Sequence, residues 1–143
     1  MYYNDNTILF LDGLFVKAKD AKMDLFGQTL HFGYGVFEGI RSYRTVNGTK
    51  IFKATEHYER LRQSAKLMGI PFHYSVNELV QITYHVLEKS KLSEAYIRPL
   101  VFCSPNMDTH FSERSVADDH CMGMGSLPGR QQPPRLHLVI PAS

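Results

Sequence analysis

Near the start of the chain, two short apolar runs are separated by a polar dipeptide. The segment TILFLDGLFVK places Asp12-Gly13 between β-prone runs, and this dipeptide readily supplies the positive φ of a tight turn. A second hairpin is predicted in GVFEGIRSYRTVNGTKIFKA, with Asn47-Gly48 at its turn. The first half of the chain is therefore expected to contain four strands.

The apolar period then changes to that of two helices. Leu61, Ala65 and Met68 fall at helical spacing, so a helix is predicted from Glu56 to Met68, with Thr55 as its N-cap. Farther along, Ser75 and Glu78 form the S-x-x-E pattern of a capping box that begins a second helix, ending near Ser90.

The segment AYIRPLVFC returns to strand composition. Side chains alternate along a strand, so Tyr96 and Arg98 are predicted to share one face. Pro99 lacks an N–H, which predicts an edge position or irregular pairing there. The order of hairpin, hairpin, helix, helix and strand predicts an α+β fold.

The chain loses this periodicity after Cys103. Prolines and glycines interrupt residues 105–135, and no apolar period matches a helix or a strand. Asp118, Asp119, His120 and Cys121 stand in a row, but adjacent side chains point in different directions and cannot all converge on one ion. No metal site is predicted.

Composition narrows the class of partner. The net charge is only +2 and the cationic residues are dispersed, which argues against nucleic acid or an acidic membrane as partner. No apolar run approaches the roughly 20 residues of a membrane span, the N-terminus lacks signal-peptide order, and two cysteines make no disulfide framework. A cytoplasmic protein with a small-molecule or protein partner is expected.

Two arginines are candidates for anion binding. Arg60 projects from the first predicted helix and is either a solvated surface residue or a clamp for phosphate or carboxylate. Arg98 interrupts an apolar strand, so it needs an internal salt bridge or a ligand. With Tyr96 on the same face, it would form an anion receptor from a guanidinium and a phenol.

Three glycines alternate with aromatic residues in LHFGYGVFEGIR. Their G-x-G-x-x-x-G spacing is not that of a dinucleotide-binding loop, and a strand rather than a helix is predicted after them. Gly33, Gly35 and Gly39 are interpreted either as allowing close approach of a ligand or another chain, or as marking a bulged strand.

The order LHFGYGVFEGIRSY, EHYERLRQSAK and AYIRPLVF resembles the N-terminal domain of bacterial branched-chain amino acid aminotransferases, class IV enzymes that use pyridoxal 5'-phosphate (PLP). The resemblance implies that residues 1–107 form the small N-terminal domain of the D-amino acid aminotransferase-like fold, an antiparallel sheet with two helices. It also implies amino acid and 2-oxo acid substrates and a dimer-based homo-oligomer.

Site residues are carried over from the matching motifs. The resemblance implies that Arg60 holds the PLP phosphate and that Phe37 and Gly39 line the pocket for a branched aliphatic side chain. It further implies that Tyr96 meets the substrate α-carboxylate and Arg98 the distal carboxylate of glutamate. Phe32 departs from the Tyr of many relatives, which removes a hydroxyl that Tyr34 is the candidate to replace.

The resemblance implies that the family's Schiff-base Lys lies in a C-terminal domain, and these 143 residues are expected to contain no counterpart of that domain. The chain alone is therefore expected to lack transaminase activity, since Lys53, Lys66 and Lys89 belong to other motifs. Measurable turnover by the purified chain would contradict this expectation.

Residues 108–143 are expected to be an out-of-frame, disordered tail outside the family domain. The two Met-Gly pairs of CMGMGSLPG each force a Trp codon when the reading frame moves by one nucleotide, and permitted codons then read AWEWGAYL. This matches the W-G-A-Y-L-G that follows the strand in the family, and it predicts a frameshift between Met107 and Ala117. Sequencing of the coding region tests it.

Two alternatives remain open. One is another class IV PLP enzyme, a D-amino acid aminotransferase or an aminodeoxychorismate lyase. The other is a non-enzymatic fragment that binds an anionic metabolite or pairs with an intact subunit. Phe32, Tyr34 and Phe37 are expected to form an exposed patch that favours association.

Overall fold

The computed structural model describes residues 4–103 and 135–139. Seven strands, three α-helices and one 3-10 turn lie within these ranges. The strands are β1 (Ile8–Leu11), β2 (Leu14–Lys17), β3 (Gly35–Phe37), β4 (Ile40–Thr45), β5 (Gly48–Ile51), β6 (Ala95–Phe102) and β7 (Arg135–Val139). The helices are α1 (Gln28–Phe32), α2 (Ala54–Leu67) and α3 (Val76–Lys89), and the 3-10 turn is Ala18–Asp20.

The strands form one antiparallel sheet in the order β2-β1-β7-β6-β4-β5, with β3 also paired to β6. This confirms the predicted α+β class with an antiparallel sheet. The helices α2 and α3 pack together, and α2 lies against β3 while α3 lies against β1. The core between the sheet and these helices contains Ile40, Tyr58, Leu61, Leu79, Val86 and Ile97.

Both predicted hairpins are present, but their turns differ. Asp12 and Gly13 both adopt positive φ, at 51° and 85°, as a two-residue turn with the twist of the flanking strands requires. In the second hairpin Thr45 pairs with Gly48, so the loop residues are Val46 and Asn47, and only Gly48 has positive φ, at 90°. The Asn-Gly dipeptide therefore marks the hairpin but does not form its two-residue loop.

The second hairpin does not begin with one continuous strand. The prediction of four strands in the first half is wrong, because Glu38 and Gly39 separate β3 from β4. Phe37 pairs with Leu100 and Ile40 pairs with Ile97, so the register on β6 is the same on both sides of the break. The break lies opposite Arg98 and Pro99, where the backbone N–H of Glu38 donates to the Pro99 carbonyl at 3.1 Å. Pro99 thus has the predicted irregular pairing, although β6 is a central strand.

The predicted helices are confirmed with one change of cap. For α3, the Ser75 side chain accepts from the Glu78 N–H and the Glu78 carboxylate accepts from the Ser75 N–H, a complete capping box. For α2, the N-cap is Lys53 in the left-handed region at φ 45°, and Thr55 is already helical. Thr55 is therefore not the cap, because β5 ends at Ile51 and leaves only a two-residue turn before the helix begins.

Two elements lie where the sequence pattern predicted none. Helix α1 precedes the glycine-rich segment, and left-handed Gly33 is its C-cap at φ 67°. Strand β7 lies between β1 and β6 in the sheet. The expectation of a disordered tail is therefore wrong for Arg135–Val139, whose backbone groups pair with two flanking strands. The domain boundary at residue 107 stays a prediction.

The two longest helices, α2 and α3, have 14 residues each. Within the described ranges, no helix combines the length and the apolar composition that a membrane span requires.

Candidate functional site

Tyr96 and Arg98 form the predicted pair on one face of β6. Arg98 Nη2 donates a hydrogen bond of 2.6 Å to the Tyr96 phenolic oxygen. The guanidinium carbon of Arg98 lies 4.7 Å from the Phe37 ring centroid and 5.2 Å from that of Tyr96, within cation–π range. Because the phenolic oxygen accepts from a cation, its own O–H is polarised toward donation to an incoming anion.

Arg98 is held by aromatic groups rather than by a carboxylate. It is half-buried, and no Asp or Glu side chain among residues 4–103 forms an ion pair with it. The internal salt bridge considered from the sequence is therefore not found in this part of the chain. A half-buried guanidinium that has no carboxylate partner within residues 4–103 is suited to binding an anion.

Gly39 completes this group of residues on the same face. A Cβ built on Gly39 would lie 2.5 Å from the Tyr96 hydroxyl oxygen and 3.2 Å from its ring carbon Cζ. The structure therefore brings together four of the five predicted site residues, and we call this group the aromatic anion receptor: Phe37, Gly39, Tyr96 and Arg98.

Arg60, the fifth predicted residue, lies apart from this group on the helix side of the sheet. Its Nε and Nη2 donate to the two carboxylate oxygens of Glu38, each at 2.6 Å. The Nδ1 atom of His57 lies 2.9 Å from Glu38 Oε2 and 3.0 Å from Arg60 Nη2. The Arg60 side chain is 58% exposed and that of Glu38 only 9%. Arg60 thus forms a two-pronged ion pair with Glu38 at the surface, and its role as a clamp for a ligand phosphate or carboxylate stays a prediction.

The sequence reasoning missed Glu38 and His57. Val36, Glu38 and Ile40 alternate along the chain, and both apolar members are buried. A carboxylate in such a series must find a partner when it is buried, and this signal could have identified it. Burial by itself would raise the pKa of Glu38, but hydrogen bonds from Arg60 and His57 outweigh that effect, and the net pKa lies below its ordinary value.

Glu38 also links the two groups of side chains. Glu38 lies between Phe37 and Gly39 in the chain, and its carboxylate points toward α2. Phe37 and Gly39 lie on the other face of the sheet, together with Tyr96 and Arg98. The Arg60–Glu38 ion pair and the aromatic anion receptor therefore lie on opposite faces of the sheet, both at the interruption between β3 and β4.

The three glycines of LHFGYGVFEGIR have three separate causes. Gly33 supplies the left-handed C-cap of α1, and a Cβ on Gly35 would lie 2.8 Å from the Val101 carbonyl oxygen, which reflects close approach within the sheet. Gly39 instead faces the Tyr96 side chain. The three glycines therefore do not share one structural cause, and close approach of a ligand or another chain stays a prediction.

Phe32 and Tyr34 occupy different environments. Phe32 is 58% exposed and Phe37 is 59% exposed, as predicted, together with neighbouring Leu25, Phe26 and Leu30. Tyr34 is half-buried, and its hydroxyl donates to the Met68 carbonyl at 2.5 Å. The expectation of an exposed Tyr34 is therefore wrong, and its hydroxyl is occupied at the end of α2 rather than available to replace that of a Tyr at position 32.

A metal site is not found in the described part of the chain, where no three His, Cys, Asp or Glu side chains converge. The run from Asp118 to Cys121 lies outside the described residues.

Solved structures of branched-chain aminotransferases share this architecture. The chain superposes on the crystal structure of the Escherichia coli enzyme with a TM-score of 0.75 and 31% identity, over 94% of this chain and 39% of that one. It superposes on the enzyme from the archaeon Thermoproteus uzoniensis with a TM-score of 0.73 and 26% identity, over 94% of this chain and 40% of that one. A third structure, complexed with N-(5'-phosphopyridoxyl)-L-glutamate, matches with a TM-score of 0.72 and 28% identity, over 93% of this chain and 39% of that one.

Sequence comparison gives the same family. The chain is 43% identical over 94 residues to a branched-chain-amino-acid aminotransferase of Salmonella typhimurium, an alignment covering 66% of this chain and 30% of that enzyme. The chain thus spans under a third of that relative's length. The model of the amino-transferase class IV family matches residues 35–122, more than half of the chain and beyond the predicted boundary at residue 107. The chain belongs to the amino-transferase class IV family.

Proposed function

We propose that this chain supplies the N-terminal, substrate-recognising part of a PLP-dependent branched-chain amino acid aminotransferase. Such an enzyme moves an amino group between Leu, Ile or Val and 2-oxoglutarate, so its pocket must accept an apolar side chain in one half-reaction and a second carboxylate in the other. The proposal is supported by the 40–43% identity to relatives with that name.

The observation that carries the proposal is the composition of the aromatic anion receptor. Phe37 gives an apolar ring surface, while Arg98 and the Tyr96 hydroxyl give donors for a carboxylate within one group. A receptor of this kind can contact an aliphatic chain through the ring and a carboxylate through the guanidinium. Arg98 is assigned the distal carboxylate of glutamate and Tyr96 the α-carboxylate.

Arg60 is the residue in this chain that would hold the PLP phosphate. Its Nε and Nη2 are bound to Glu38, while Nη1 forms no hydrogen bond within the described part of the chain and belongs to a largely exposed side chain. The residues therefore fit a phosphate through the Nη1 side of the guanidinium. When bound, PLP supplies the electron sink of transamination, and Arg60 contributes only its anchoring.

We extend the proposal to the oligomeric state and the partners of the protein. Exposed aromatic and aliphatic residues are frequent in the chain between Met23 and Phe37, the last of which belongs to the receptor, and this supports a homo-oligomer. The substrates are small amino and 2-oxo acids in this proposal, and neither a nucleic acid nor a membrane is a partner.

A dicarboxylate titration tests the proposal. We expect glutarate to perturb the side-chain resonances of the receptor in the 143-residue chain, and Arg98→Gln to weaken this binding at least about tenfold, because it removes a charge-assisted hydrogen bond. NMR titration measures both affinities. Arg62→Gln is the matched control, since Arg62 is an exposed arginine on α2.

Two results would contradict the proposal. One is equal loss of glutarate binding in Arg98→Gln and Arg62→Gln, which would indicate a diffuse charge effect. The other is an absence of glutarate binding by the wild-type chain while its circular dichroism spectrum shows it folded.

A further inference from the structure

We propose that Gly39 is a positioning residue for Tyr96 and Arg98, and that the space left by its missing Cβ holds the Tyr96 phenol. The resemblance assigned that space to the branched side chain of the substrate. The inference rests on the proposed function only for the nature of the ligand, because the packing that it describes is internal to the chain.

The geometry around Gly39 leaves little room for any other occupant. A Cβ there would meet three Tyr96 atoms at once, with the hydroxyl oxygen at 2.5 Å, Cζ at 3.2 Å and Cε2 at 3.3 Å. Contacts of this length are repulsive for carbon, so a side chain at position 39 would displace the phenol. The side of Gly39 that would carry a side chain therefore faces the tyrosine.

Backbone conformation does not explain the glycine. The glycines with positive φ are Gly13, Gly33, Gly48 and Gly69 among the described residues, and Gly39 is not one of them. An alanine at position 39 would therefore not incur the strain of a positive φ. Only the space beside the α-carbon requires a glycine.

The contact matters because Tyr96 holds Arg98. Arg98 Nη2 donates to the Tyr96 phenolic oxygen at 2.6 Å. A Cβ on Gly39 would lie 2.5 Å from the same oxygen. The break between β3 and β4 places Gly39 directly opposite Arg98 on β6. A methyl group at position 39 would therefore act on the guanidinium through the phenol, separating it from its position over Phe37.

A double-variant cycle tests this role without a ligand. We expect Gly39→Ala to lower the Tm of the 143-residue chain by on the order of 5 °C, and by less than half as much in the Tyr96→Phe background, where the 2.5 Å contact is gone. Gly35→Ala is the matched control. Its methyl group would meet the Val101 backbone oxygen at 2.8 Å, so its loss should be equal in both backgrounds.

The cycle remains decisive even if Gly39→Ala does not fold. Recovery of cooperative unfolding in the double variant Gly39→Ala/Tyr96→Phe would support the inference, and failure to recover would overturn it. An equal loss of Tm from Gly39→Ala in both backgrounds would overturn it as well, because position 39 would then act independently of the phenol.

A ligand titration separates this inference from the proposed function. Where Gly39→Ala folds, we expect it to weaken glutarate binding about tenfold, as loss of one charge-assisted hydrogen bond would. Unchanged glutarate affinity in Gly39→Ala would overturn the positioning role. If the wild-type chain binds no glutarate, the proposed function fails, while the thermal cycle still decides the role of Gly39.

Discussion

Replacing Thr83 by valine should lower the free energy of unfolding by about 1–3 kcal/mol, more than replacing Tyr58 by phenylalanine, which should cost about 1 kcal/mol. Both side chains are fully buried between α2 and α3, with the Tyr58 hydroxyl 2.5 Å from Thr83 Oγ1. Thr83 donates its own proton to the Leu79 carbonyl at 2.7 Å, so Tyr58 must donate to Thr83.

The difference between the two variants follows from that direction of donation. Valine at position 83 leaves a buried phenol with no acceptor, whereas phenylalanine at position 58 leaves Thr83 still bonded to Leu79. Burial also raises the pKa of the Tyr58 phenol, so the hydroxyl keeps its proton below strongly alkaline pH and still needs an acceptor.

Urea unfolding of the two single variants and the double variant measures this prediction. The double variant Tyr58→Phe/Thr83→Val should be more stable than Thr83→Val alone, because it removes the unsatisfied hydroxyl. Additive losses in the double variant would show that the two side chains contribute separately. A larger loss for Tyr58→Phe than for Thr83→Val would contradict the assigned donor.

Acidification should remove the stabilisation that Glu38 provides. The pKa of Glu38 in the folded chain lies below its unfolded value of 4.5, because Arg60 and His57 hydrogen bonds outweigh burial. The carboxylate therefore contributes fully above the unfolded pKa, and the contribution is lost as pH falls through the lower folded pKa. We expect the free energy of unfolding to decline as the pH drops below about 4.5.

Glu38→Gln should remove this part of the pH dependence. The amide has nearly the same shape but cannot accept from both nitrogens of Arg60, so the variant should be less stable than wild type at about pH 6 and lose less on acidification. Urea midpoints at about pH 6 and about pH 3.5, on either side of the unfolded pKa, measure both effects. Glu59→Gln, at an exposed position on α2, is the matched control, and an equal change in its pH dependence would contradict the role of Glu38.

The short-range elements of the fold could be predicted because their causes lie within a few residues. The Asp12-Gly13 turn depends on two positive φ values, and the capping box depends on two side chains three positions apart. Tyr96 and Arg98 lie on one face because side chains alternate along a strand, which is also a local effect. Sequence motifs also predicted the family, which the match over residues 35–122 confirms.

The remaining structure could not be predicted because it depends on pairing between distant segments. Strand β7 was not expected, since its apolar run is short and its place between β1 and β6 is set by the sheet. The interruption at Glu38 and Gly39 has the same origin, because it lies opposite Pro99, a residue far along the chain that has no N–H to offer. The proposed frameshift depends on the coding DNA and stays a prediction.

The amino-acid sequence by itself determined the α+β class, the two hairpins, the two long helices and the shared face of Tyr96 and Arg98. These follow from periodicity and turn chemistry, which act over a few residues. Only the tertiary structure decided that Glu38 engages Arg60 from 22 residues away and that the space beside Gly39 belongs to Tyr96. Both contacts lie at the interruption between β3 and β4. A buried charge needs a partner, and close packing leaves the space beside Gly39 to one side chain.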